Sequence, residues 1–93
     1  MCELEIKLMQ NTDKSRFLRV SLTSDMRKGL KVQVDVPYAG TEGRTAQSVQ
    51  AAGGALAEYL GKNYGEQVDF DDIAYQARET FRELIVEANQ RLN

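Results

Sequence analysis

The chain of 93 residues contains no histidine, no tryptophan, one proline and one cysteine. Without histidine the commonest general base and the commonest metal ligand are missing, so Ser-His-Asp, Cys-His and zinc-site arrangements lack a necessary part before any spacing is weighed. Cys2 has no internal partner for a disulfide, and an unpaired thiol suits a reducing compartment. Long apolar runs are missing too. In "MCELEIKLMQ" Glu3 and Glu5 interrupt any signal-like core, and no later stretch approaches the roughly 20 apolar residues of a membrane span. These absences predict a cytoplasmic protein that does not contact a membrane, is not an enzyme, and holds no cofactor and no metal.

The remaining composition is ordinary. Hydrophobic residues make up 42% and charged residues 28%, which suits a single domain over 1–93, large enough for a two-layer core and too small for a deep enclosed active site. The net charge is only −2, but it is unevenly spread. Residues 14–31 carry six basic side chains against one acidic, whereas 58–93 carry four basic against eight acidic. A basic end and an acidic end bear on steering and partners, not on fold.

Three segments alternate with a period of two, the signature of half-buried strands. In 2–8 Cys2, Leu4, Ile6 and Leu8 share a face; in 16–23 Leu18, Val20 and Leu22 do; in 30–36 Leu30, Val32, Val34 and Val36 do. Short polar turns join them, one ending in Gly29, so the three segments read as an antiparallel meander with one apolar face. Pro37 closes the third, and the period then changes to helical. Ala46, Val49, Ala52, Gly53, Leu56 and Leu60 form one stripe on a helix predicted from Thr45 to about Leu60, with Gly61 or Gly65 as its left-handed cap. A second helix follows the capping residue Asp69, with Val68 and Ile73 as a hydrophobic staple. Its inward arc is Ile73, Ala77, Phe81, Leu84 and Ala88, flanked by Ala74, Ile85 and Leu92, and Glu87 and Arg91 are spaced to pair outside. An apolar sheet face and two apolar helix stripes are all satisfied by laying the helices on the sheet, which predicts an α+β two-layer sandwich of order βββαα. Its predicted core is Leu18, Val20, Val32, Val34, Leu56, Phe81 and Leu84.

Two stretches resemble ligand motifs superficially. In "VPYAGTEGRTAQSVQ" Gly43, Arg44 and Thr45 mimic the end of a phosphate-binding loop, but Tyr38 stands where the first glycine belongs and arginine replaces lysine. That stretch reads as a connection, with a weaker anion site at the helix start assisted by Arg44 as the alternative. "DFDD" at 69–72 lacks the central glycine and terminal glutamate of a calcium loop and reads as helix-start carboxylates facing the dipole. Cys2 has no basic neighbour to activate its thiol, and Glu3 and Glu5 on an open strand have no pocket.

Two candidate interaction surfaces remain. Gly54 falls on the side of the first helix opposite Val49 and Leu56, where core packing does not account for it, and close approach by another chain would. Tyr75, Glu79, Arg82 and Val86 form an outward stripe on the second helix, and tyrosine and arginine are anchor residues of interfaces. Tyr75, Arg82, Val86 and Gly54 are therefore the candidate protein-binding residues, for a protein partner or for a homodimer that pairs either an edge strand or this stripe. The alternative is nucleic-acid binding by the basic hairpin 14–31, with Arg16, Arg19, Lys28 and Lys31 at phosphates or base edges. Phe17 is the single aromatic on that wet face, and Glu3, Glu5 and Asp35 are placed to pair across strands with Arg19, Lys7 and Lys31.

Overall fold

A computed structural model describes residues 2–38 and 41–92, with side chains as far as residue 87. Strands β1 (Glu3–Gln10), β2 (Arg16–Thr23) and β3 (Lys31–Pro37) are followed by helices α1 (Glu42–Tyr64) and α2 (Phe70–Leu92), the predicted βββαα order. The sheet is antiparallel with β2 in the centre, Leu4 opposite Leu22 and Val20 opposite Val34. Leu18, Val20 and Leu22 are wholly buried because the central strand is paired on both sides and covered by helices. Helix α1 lies against β2 and β3, and α2 lies against β1 and α1.

Local chemistry sets the connections. Between β1 and β2, Asn11 N–H bonds the Ser15 carbonyl, Lys14 takes the left-handed conformation at φ 72°, and Asp13 Oδ1 accepts from the Ser15 amide. Between β2 and β3, Ser24 Oγ accepts from the Met26 and Arg27 amides, and Gly29 supplies φ 85°. Thr41 caps α1 by accepting from the Arg44 amide, so the helix begins at Glu42, earlier than the periodicity indicates. Gly43, an unfavourable helix residue, conceals that first turn in the sequence. At the other end Gly65, at φ 67°, donates to Gly61 O while Glu66 N–H reaches Leu60 O, which selects Gly65 over Gly61 as the cap. Asp69 caps α2 through Oδ1, which accepts from the Asp71 and Asp72 amides.

Leu18, Val20, Leu56 and Phe81 of the predicted core are buried, and Val32 and Leu84 pack partly against them. Val34 and Leu8 depart from the alternation argument: they stand on the helix side of the outer strands but are 40% and 39% exposed, because the helices do not reach that far. Gly53 is buried for a reason invisible in the sequence. A β-carbon there would lie 3.0 Å from Leu4 Cδ1 and 3.2 Å from Ile73 Cγ2, so the glycine lets α1 approach β1 and α2 closely. Ala88, Leu92 and Arg91, the predicted partner of Glu87, lie outside the described side chains.

Candidate interaction surfaces

Arg82 and Val86 come together with residues from the other helix. The groove between the first turns of α1 and the second half of α2, about 320 Å³, is lined by Glu42, Gly43, Ala46, Phe81, Arg82, Ile85 and Val86. Val86 is 48% exposed, and the exposed Arg82 guanidinium lies 3.8 Å from Glu79, a loose surface pair that leaves it available to a partner. Tyr75 is 57% exposed on the same stripe, but seven residues, or about 10 Å of helix, before Arg82 and outside the groove. Gly54 lies eight residues, or about 12 Å of helix, beyond Ala46, and a β-carbon there meets nothing within 4 Å. Of the four candidate protein-binding residues, two share a site and two stand apart.

The basic residues are divided. Arg16 sits at the end of β2 beside the first turn, whereas Lys31 pairs with Thr23, seven residues along β2 and so about 23 Å away. Arg19 is engaged: its Nε lies 2.9 Å from Asp35 Oδ1, and that hydrogen bond, then the Asp35 charge, holds the guanidinium further in its charged form. The same guanidinium stands 5.6 Å from the Phe17 ring centroid. Arg27 also has an internal task, since its Nη2 donates to the last α1 carbonyl, Tyr64 O, at 3.2 Å. Lys28 and Lys31 are exposed at that end. Arg16 lines a shallow hollow of about 570 Å³ with Asn11, Ser15, Phe17, Asp35, Pro37 and Tyr38, which adds a second aromatic ring to the first.

Gly43, Arg44 and Thr45 form helical turns, and the buried Thr45 hydroxyl donates to Thr41 O, so it is not directed at a ligand. Gly40 lies outside the described residues. The acidic run at 69–72 caps α2, and Asp72 goes further by holding Gln76, whose Nε2 donates to it at 2.9 Å.

Two polar groups escaped the sequence reading. Gln76 reaches from α2 to the outer edge of β1, where its Oε1 accepts from Leu4 N–H and its Nε2 donates to Cys2 O, both at 2.9 Å. It occupies the place of a neighbouring strand. The buried Glu66 accepts from the Ser24 hydroxyl at one oxygen and from the Cys2 thiol, at 3.5 Å, at the other. Burial, followed by this hydrogen bond and the Glu66 charge, raises the Cys2 thiol above its ordinary pKa. The only sequence sign of Gln76 is a polar residue beside Ile73 and Ala77 of the inward arc; Glu66 carries none.

Among the described residues no helix is long and apolar enough to cross a membrane. Comparison with protein-family models, curated proteins and solved structures gives no match.

Proposed function

We propose that this is a non-enzymatic cytoplasmic binding module that acts through protein contacts, with the groove between the start of α1 and the second half of α2 as its docking surface. The observation behind this reading is that Arg82 and Val86 share one apolar groove with Ala46, Phe81 and Ile85. An apolar floor with a charged rim is the composition of an interface anchor pocket. Arg82 above that floor suits a partner segment that inserts an apolar side chain and sets a carboxylate beside the guanidinium. A reducing setting belongs to the same reading, supported by a Cys2 thiol that is buried against Glu66.

The test is capture from host lysate on immobilised wild-type protein, with Val86→Glu and Arg82→Glu run in parallel and their folds checked by circular dichroism. A protein held by the wild type and lost from both variants supports the reading. Identical captures from all three, or none from any, reject it.

The second reading, nucleic-acid binding, is favoured by one observation: Arg16 lies in a hollow with the Phe17 and Tyr38 rings, a cation beside stacking surfaces. This geometry suits an unpaired nucleotide, because the roughly 23 Å between Arg16 and Lys31 separates the basic residues. Fluorescence anisotropy with single-stranded and duplex probes tests it. Affinity should fall steeply with salt and be lost in Arg16→Glu, and an unchanged Arg16→Glu would eliminate this reading.

A further inference from the structure

The two edges of the sheet are treated differently. At β1, Gln76 occupies Cys2 O and Leu4 N–H. At β3 the inward bonds are set by Ser24 N–H to Leu30 O and Tyr38 N–H to Arg16 O, so even-numbered residues of this strand face β2. The backbone N–H and C=O groups of Lys31, Gln33 and Asp35 therefore point away from the sheet, and no hydrogen bond among the described residues reaches them. Apolar surface runs to the same edge on the helix side, where Val34 is exposed. An open edge of this kind is a template for another strand.

The side chains specify which strand. Lys31 and Asp35 lie two residues on either side of Gln33 on the solvent-facing side of β3. Antiparallel pairing with an identical strand, about a two-fold axis at Gln33, sets each Lys31 opposite Asp35 of the second copy. On the helix side it sets each Val32 opposite the other copy's exposed Val34. Sliding the pairing by two residues either way loses the charge match, and one of those slides also sets Lys31 opposite Pro37, which has no N–H. Charged edge residues usually repel a second strand, but in this register they attract one. Asp35 keeps its bond to Arg19, since a carboxylate has acceptor capacity for both.

We propose that the protein forms a homodimer by antiparallel pairing of β3 with β3 of a second copy, centred on Gln33, which joins the two three-stranded sheets into one. The groove between the helices takes no part in this contact, so the two proposals stand or fall separately.

Sedimentation of the wild type over a range of concentrations, with Lys31→Glu, Asp35→Lys and Gln33→Pro, tests the proposal. The wild type should self-associate reversibly. Lys31→Glu and Asp35→Lys, each measured alone, should weaken association at least tenfold, because like charges then face each other at both ends of the pairing. An equimolar mixture of the two should recover it, since the introduced carboxylate faces the introduced ammonium. Gln33→Pro removes an outward N–H and leaves the internal ladder whole, so it should give a folded monomer. A wild type that stays monomeric at every concentration overturns the proposal. So does a dimer indifferent to these changes, or one broken only by Val86→Glu.

Discussion

β1 and β3 are outer strands of the same sheet, each with one apolar and one polar face, and the tertiary structure puts them in different situations. β1 is closed at its first residues: α2 packs on this strand, Gln76 pairs with Cys2 O and Leu4 N–H, and Cys2 and Leu4 are buried, whereas Leu8 further along is exposed. β3 is covered on one face by α1, but among the described residues nothing pairs with its outer backbone, and Val34 is exposed. Alternation alone does not make a strand safe from pairing. What matters is whether a helix brings a side chain to the edge, and here α2 does so for one edge only.

The largest expected effect contrasts two apolar residues on the same face. Leu4→Ala should lower the unfolding free energy by about 3 kcal/mol, because Leu4 is buried against the Gly53 region of α1. Val34→Ala should cost less than about 1 kcal/mol when measured in denaturant at protein concentrations too low for association. Equal losses would mean that the two edges are equally covered.

The backbone contrast is smaller. Gln76→Ala removes partners from Leu4 N–H and Cys2 O and should cost about 2 kcal/mol, at about 1 kcal/mol for each lost hydrogen bond. Gln33→Ala at the open edge should change stability by less than about 0.5 kcal/mol. Denaturation midpoints of the two variants report the difference, and a harmless Gln76→Ala would show that Gln76 does not close the edge.

Adjacent glycines carry the contrast into α1. Gly53→Ala forces a methyl against Leu4 and Ile73 and should lose about 1 kcal/mol, even after the better helix propensity of alanine is counted. Gly54→Ala meets open space and should gain about 0.5–1 kcal/mol. Thermal melts with shifts of the same sign would contradict the close approach at Gly53.

The smallest effect concerns pH. The Cys2 thiol has a higher pKa folded than unfolded, so the folded state holds the proton more tightly. The resulting stability is fully present below the unfolded thiol pKa and is lost as pH rises through the folded one. Urea titrations in the alkaline range should show wild-type stability falling more steeply than that of Cys2→Ala. Parallel slopes would place Cys2 in a less buried setting.

Much of the fold was legible because it is carried by local patterns: β2 matches its alternating segment, Asp69 caps α2, and Gly65 ends α1. The candidate site was legible in part. Arg82 and Val86 were recognisable as an outward stripe, but the groove they wall also needs Ala46, read as part of the inward stripe of α1, and Glu42 and Gly43, which the periodicity placed before the helix. Gln76 and Glu66 had no local signal, since their partners lie 72 or 74 and 42 or 64 residues away in the chain.

The sequence by itself determined the order of strands and helices and which side of each turns inward, because hydrophobic periodicity and capping act between near neighbours in the chain. Only the tertiary structure decided how far each helix extends over the sheet. With that reach came a β1 closed at Cys2 and Leu4, an open β3 edge and the close approach at Gly53, because such coverage depends on distant segments meeting.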